Sequence, residues 1–411
     1  MAKSCPGCGA PMEYDPSFDS LVCTVCGNIV DPQTLSDADD FYHDAEESGP
    51  VDIADTLSEM DDLTGEMYDC QVYKCSQCAG EVLVTGTEIS TRCVYCGATS
   101  VVFSRISKEN RPDKIIPFSV SKEEAIDNVK KNLLNGAFVP QKYKEIPPEC
   151  VRGIYIPYFT FDGTIEDTQT HRLGLTEKTY VFDGSAEFKD LLVECCTSLD
   201  DRTTALLEPY NMNGAVDFDT SYLMGFYSNI QDKTPRGAKG TAELKARTIF
   251  HSRMRTLSPN HVLKTVSTMP KVDLHRTSYV LLPAWFITIN AEGTPYTFLV
   301  NGQTGKVAGT APWNKAKVMA SIIGLSAAAC ALIIFLYSTL GNYILEHIDY
   351  KEAETMIYGG SLQLITGAPI VIGIIMLIIA IRNFKRITVK LTRTGSVLTN
   401  IFARKRQGGV K

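Results

Sequence analysis

Eight cysteines fall in two copies of one pattern. CPGCGAPMEYDPSFDSLVCTVCG occupies residues 5–27 and CSQCAGEVLVTGTEISTRCVYCG residues 75–97. Each copy reads C-x2-C, fourteen residues, C-x2-C, and each ends on glycine. Two such knuckles joined by a hairpin bring four thiolates to the corners of a tetrahedron, the arrangement of a closed structural zinc site. The ligand sets are Cys5, Cys8, Cys23 and Cys26, and Cys75, Cys78, Cys93 and Cys96, so two structural Zn2+ sites are expected. Iron in a rubredoxin-like site is the rival metal. Disulfides are the other use of such cysteines and need an oxidising compartment. Glycine after Cys8, Cys26 and Cys96 lets the backbone turn and aim amides at the sulfurs; alanine follows Cys78.

A ribbon this small buries too little apolar surface to fold alone, and the metal supplies the missing stability. A closed set of four ligands leaves no open coordination position. It therefore points to binding or scaffolding and away from metal catalysis. Cys70, Cys150, Cys195, Cys196 and Cys330 belong to neither set and read as free thiols.

The elements that must carry these sites are divided by charge and hydropathy. The net charge of −7 hides an asymmetry: residues 31–69 hold fourteen Asp and Glu with no Lys or Arg, and residues 382–411 hold nine Lys and Arg with no acid. The acidic stretch is too charged to form a core and reads as a linker. Within it Ile53, Leu57, Met60, Leu63 and Met67 recur at helical spacing, consistent with an amphipathic helix. The linker is expected to hold the first ribbon away from the rest as a movable arm.

Two long runs near the C-terminus, Val318 to Leu345 and Thr355 to Ile381, contain no charged residue. Each exceeds the ~20 residues of a membrane-spanning helix. Lys315 and Lys317 precede the first run, Arg382, Lys385 and Arg386 follow the second, and the intervening loop is acidic. By the positive-inside rule both termini are cytoplasmic. The start MAKSCPGCG has no secretory character, so the ribbons are expected in a reducing compartment.

Between ribbons and membrane lies a globular α+β domain. SVSKEEAIDNVKKNLL carries a capping box, Ser121 with Glu124, and a stripe of Ile126, Val129 and Leu133. VRGIYIPYFTFDGTIED alternates like a strand ending in a turn at Asp162-Gly163. GTAELKARTIFHSRMRTL predicts an amphipathic helix with Ala242, Ala246, Ile249 and Met254 on the inner face. SYVLLPAWFITINAEGTPYTFLVNGQTGKVAG predicts three strands joined by turns. NGQTGKV at 301–307 is not a Walker A loop: two residues, not four, separate its glycines, and Val307 follows Lys306. It reads as a hairpin turn.

The predicted organisation is multidomain: zinc ribbon 1 (1–30), acidic linker (31–69), zinc ribbon 2 (70–105), α+β domain (106–313), transmembrane helix 1 (318–340), external loop (341–360), transmembrane helix 2 (361–381) and basic cytoplasmic tail (382–411). The two helices form a hairpin in the cell membrane, with the tail on anionic lipid.

Three stretches carry a family resemblance: IYIPYFTFDG at 154–163, LLEPYNMNGAVDFDTSYLMGF at 206–226 and YVLLPAWFITINAEGTPYTFLVNGQTGKVAGTAPW at 279–313. They resemble bacterial membrane-anchored proteins with TFIIB-type zinc ribbons, often labelled primosomal helicase-like. The resemblance covers roughly residues 70–320 and the transmembrane hairpin. It implies a membrane anchor working with SPFH-domain or phage-shock-type envelope proteins. The family pattern has one ribbon, so residues 1–69 are a departure to which nothing is carried over.

Two functions follow. The first is a membrane adaptor whose ribbons and head present protein-binding surfaces. The second is a membrane-tethered nucleic-acid-binding protein, which requires a basic footprint. The first ribbon has Lys3 against Glu13, Asp15 and Asp19, and it adjoins the acidic linker, which repels phosphate. A helicase lacks its Walker A loop. His171, His251, His261 and His275 stand without nucleophile or carboxylate motifs, so no catalytic or cofactor-binding residue, no small-molecule substrate and no enzyme activity is expected.

Overall fold

The computed structural model describes residues 4–34, 66–78, 80–85, 93–95, 98–99, 101–173, 179–196, 204–257, 263–291, 294–309, 311–347 and 382. The acidic helix of residues 53–67 and the second apolar run therefore lie, apart from Glu66 and Met67, outside the described residues, as do the external loop from 348 and the tail after Arg382.

The first ribbon is a three-stranded antiparallel sheet, β1 (Met12–Asp15), β2 (Ser20–Cys23) and β3 (Ile29–Val30). Met12, Tyr14 and Leu21 alternate inward and give it a small core. The head is a mixed sheet of twelve strands with few helices. Its order along the main path is β10 (Val216–Asp217), β7 (Lys114–Ile115), β13 (Lys271–Ala291), β8 (Val151–Leu173), β11 (Tyr227–Ser228), β5 (Glu81–Val84), β4 (Met67–Cys75) and β6 (Val101–Asn110). The strands around the second cysteine cluster thus belong to the same sheet as the head.

Strand β8 is the spine. One edge pairs antiparallel with β13 and then β12 (Leu263–Thr268); the other pairs with β11 and then β9 (Thr179–Glu194). Residues 153–161 are buried throughout, as expected for an apolar run covered on both faces. Beyond Phe161 the strand alternates, with Gly163, Ile165, Asp167, Gln169 and His171 buried.

The turn expected at Asp162-Gly163 is absent: β8 runs on for 23 residues, with a bulge at this point. A Cβ on Gly163 would sit 2.3 Å from the Asp273 carbonyl oxygen and 2.8 Å from Phe188. The glycine therefore allows close strand approach. The Asp162 carboxylate accepts from the Asp190 amide at 2.8 Å, which fixes the bulge.

The helix α1 (Lys122–Val129) forms with its reciprocal capping box. It continues as a π turn over Lys130–Leu134, and Leu134, not Leu133, is buried. The wider turn adds a residue and advances the apolar stripe by one. The helix α2 (Pro235–Leu257) packs over β9, β8 and β13 through Ala238, Ala242, Ala246 and Phe250. Ile249, expected inside, is 45% exposed, because the buried stripe repeats every four residues from Ala238.

Strand β13 joins β14 (Thr294–Asn301) as a hairpin, and β14 joins β15 (Val307–Ala308) through the NGQTGK turn. Asn301 Oδ1 accepts from the amides of Gln303 and Thr304, both at 2.8 Å, and Lys306 donates to the Glu208 carbonyl. These contacts suit a turn and leave no phosphate cradle.

A second compact unit comprises Leu133–Glu145 and Thr310–Val397. Its described part contains α3 (Lys315–His347), in which Ala316–Leu336 has a mean hydropathy of 2.4. Asn314 caps it, its side-chain oxygen accepting from the Lys317 amide at 3.1 Å. This is the one described helix long and apolar enough to cross a membrane, and none of the Ala316–Leu336 window is buried.

Candidate metal centres

All four knuckles share one backbone device. The amide of the first cysteine in each pair donates to the carbonyl five residues on: Cys5 to Ala10, Cys23 to Asn28, Cys75 to Gly80 and Cys93 to Ala98, at 2.7–2.9 Å. In the first ribbon Gly9 and Gly27 adopt positive φ, 73° and 72°, and return their amides to the carbonyls of Cys5 and Cys23. Any other residue would be strained there.

The Sγ atoms of Cys5, Cys8, Cys23 and Cys26 all lie within 4.8 Å of one another. Cys5 and Cys26 are 3.6 Å apart, and Cys8 and Cys23 3.5 Å. A disulfide holds its sulfurs at about 2.05 Å, so these are thiols gathered without bonding. Cys75, Cys78 and Cys93 gather in the same way, with Cys78 and Cys93 at 3.6 Å. Cys96, the expected fourth ligand, lies outside the described residues. The clusters of four and of three cysteines could each hold a metal ion.

The thiols of the first cluster divide unequally. Cys5 is lowered to about 6; burial opposes this, but the amides of Gly7 and Cys8 and the side chains of Cys26 and Asn28 outweigh it. Cys23 is lowered by the amides of Cys26 and Val25. Cys26 is pushed up to about 12: the Asn28 amide lowers it, but the neighbouring thiols of Cys8, Cys23 and Cys5 prevail. Cys8 is raised as well: the Ala10 amide and the Cys26 thiol lower it, but the Cys23 thiol, burial and the Cys5 thiol together prevail. Four thiolates cannot crowd together unaided, and a cation removes the conflict by replacing the retained protons.

The two sites differ in setting. In the first, Cys8 and Cys26 are exposed. In the second, Cys75, Cys78 and Cys93 are all buried and share a core with Ile154, Tyr158 and Phe286. Tyr95 binds this knuckle to the head. Its ring packs edge-on to Phe286, and its hydroxyl meets Asn229 and the Glu81 carbonyl. Asn229 Nδ2 donates to Cys196 Sγ at 3.5 Å, Cys196 to Glu194 Oε1 at 2.8 Å, and Thr204 to Glu194 Oε2 at 2.9 Å. The sequence offered no motif for this buried network.

The first ribbon is not held apart as a free arm. The Tyr14 amide donates to the Met224 carbonyl at 3.0 Å, and its ring meets Tyr222 at 5.4 Å and Phe226 at 6.3 Å. The aromatic contact buries Tyr14 to 3% exposure, which outweighs the charge of the adjoining linker.

The chain is 29% identical over 348 residues to the uncharacterized protein YdjG of Bacillus subtilis (strain 168). It is a distant homologue of YdjG. The match covers 79% of this chain and 94% of YdjG. No family model matches the chain, so the ribbon-protein resemblance gains no family assignment. No solved structure matches.

Cys70, Cys195 and Cys196 are buried and Cys150 half-buried. Burial, reinforced by Cys196 and Glu194, raises the Cys195 thiol. His171 ends a buried polar row: Gln169 donates to Asp167 at 2.7 Å, and His171 Nε2 lies 3.1 Å from Gln169 Oε1. Burial and then the nearby His251 lower the His171 pKa. His275 sits 4.0 Å from Asp273 at the surface, and His261 lies outside the described residues.

Proposed function

We propose that the chain is a membrane-anchored zinc-ribbon adaptor, presenting protein-binding surfaces at the cytoplasmic face of the membrane, and not an enzyme. Zinc is supported by the donor chemistry. With Zn–S bonds of about 2.3 Å, a tetrahedral thiolate site has edges of about 3.8 Å. The Sγ separations of 3.5–3.6 Å fit that size. Cys5, Cys8, Cys23 and Cys26 would hold one ion; Cys75, Cys78, Cys93 and Cys96 the other. Such an ion supplies structural cross-linking and leaves no position for substrate.

The observation that carries membrane attachment is the apolar, uncovered Ala316–Leu336 stretch of α3. A second span at 361–381, with cytoplasmic termini, completes the reading. The partner class is a protein, with SPFH-domain or phage-shock-type envelope proteins the first candidates from the ribbon-family resemblance. The acidic linker disfavours nucleic acid.

The test is purification of the full chain from membranes in detergent at low salt. A stoichiometric envelope protein without nucleic acid is expected to co-purify. Recovery in the soluble fraction, or co-purification with nucleic acid released by salt, would sink the adaptor reading.

A further inference from the structure

Where the first ribbon meets the head, the two walls enclose a cleft of about 470 Å³, within the range of small-molecule sites. The head wall carries Lys122 and Arg152. Among the described residues neither makes an ion pair, and Arg152 spends one N–H on the Val151 carbonyl at 2.8 Å. The two cations act on each other, and Glu123 is the one carboxylate that offsets them at Lys122. Glu123 offsets the repulsion only in part, and two half-buried like charges with no carboxylate in ion-pairing contact are an unfavourable arrangement that an anion relieves.

A second feature converges on the same wall. Lys122 is the first residue of α1. Ser121 satisfies the Glu124 amide, which leaves the amides of Lys122 and Glu123 without an intrahelical partner. The positive end of the helix dipole adds to the cations. Beside them Phe226 and Trp285 line the cleft, and Trp285 is fixed by its indole N–H donating to the Val120 carbonyl at 2.9 Å. The ribbon wall differs in character: Glu13 and Asp15 supply acceptors there.

We propose that this cleft binds a phosphorylated polyol, its phosphate held by Lys122, Arg152 and the first-turn amides of α1, and its hydroxyls facing Glu13 and Asp15. Two cations and two amides match a dianionic phosphate monoester better than a single carboxylate. The acids on the opposite wall reject a second anionic group and accept from hydroxyls. A soluble polyol phosphate and the headgroup of a lysophosphatidic acid share this chemistry, a phosphate monoester beside a free hydroxyl. The inference stands independently of the adaptor reading, since it uses only the ribbon and the head.

The test uses the full chain in detergent. Acetylation of Lys122 by a water-soluble active ester is followed by peptide mass spectrometry, with sodium chloride at matched ionic strength as the control. Glycerol 3-phosphate at ten times its half-saturating concentration should slow the labelling about tenfold. Lysophosphatidic acid in micelles forms the lipid arm. Protection by glycerol 3-phosphate indicates a soluble ligand, and protection by the lipid alone indicates a headgroup. Arg152→Gln should abolish protection while leaving the thermal midpoint and metal content unchanged. Failure of both phosphates to protect Lys122, or protection that survives in Arg152→Gln, would overturn the proposal. Calorimetric titration of Lys122→Gln with glycerol 3-phosphate gives a second measure, with weakened binding expected and unchanged binding counting against the site.

Discussion

The hydroxyl of Tyr95 donates to the side-chain oxygen of Asn229, across 134 residues of chain. One residue of a cysteine knuckle and one residue just after strand β11 thereby share a buried hydrogen bond. Removing it should be felt by the head as a whole. Tyr95→Phe leaves the Asn229 acceptor buried with a lost partner, at a cost of about 1–3 kcal/mol. In thermal unfolding of the full chain this should lower the midpoint by several degrees. An unchanged midpoint would show that the bond contributes nothing to stability.

Metal content separates the two clusters. The purified chain should hold two zinc ions, and Cys5→Ser and Cys75→Ser should each remove one, read by elemental analysis. Only Cys75→Ser should open the head to limited proteolysis, because only the second cluster lies within the head core. Iron in place of zinc, or equal protease sensitivity of the two variants, would contradict this.

Exposure sets the order of metal loss. Cys8 and Cys26 are reachable by solvent, whereas Cys75, Cys78 and Cys93 are not. A chelator should therefore strip one ion rapidly and the other on the timescale of head opening. Two phases are expected, and Cys5→Ser should delete the fast one.

The first site should bind metal more tightly as pH rises. In the metal-free cluster Cys8 and Cys26 are raised above the ordinary thiol value, Cys26 to about 12, and so keep their protons at neutral pH. Cys5, at about 6, has lost its proton there. Binding must displace the retained protons, so affinity climbs with pH, by at least the two protons of Cys8 and Cys26 per ion between about pH 7 and 9. Below about pH 6 Cys5 is protonated too and the dependence steepens. Chelator competition at several pH values measures the slope; a flat profile would refute it.

Gly163→Ala tests the spine of the sheet. The added Cβ would lie 2.3 Å from the Asp273 carbonyl oxygen, a backbone atom that cannot rotate away. A loss of about 1–3 kcal/mol is expected, the usual cost of forced overpacking. Urea unfolding gives the measure, and a neutral substitution would show that the bulge has slack.

The cysteine spacing made both clusters legible, because the ligands of each knuckle are close in sequence. The Ser121–Glu124 capping box and the NGQTGK turn were legible for the same reason: their hydrogen bonds are local. Asp162-Gly163 misled, since glycine serves turns and close strand contacts alike, and only the distant Asp273 decides between them. The inner face of α2 shifted to Phe250 because sheet packing, not local hydrophobicity, chose it. The Lys122–Arg152 pair was invisible because a strand–helix arrangement brings those residues together.

Strand β8 has a consequence for the order of synthesis. Its main partner, β13, is separated from it by β9, the β10–β11 region, α2 and β12. The sheet therefore cannot close until nearly the whole head has left the ribosome, while the first ribbon could gather its metal much earlier. Once β13 to β15 emerge, α3 begins at Lys315, only a few residues after Ala308. At about 5–20 residues per second, closing the sheet and delivering the apolar helix fall within seconds of each other. A nascent chain arrested before β13 would present β8 as an uncovered apolar edge, so ribosome pausing in that interval is where this protein most needs a chaperone.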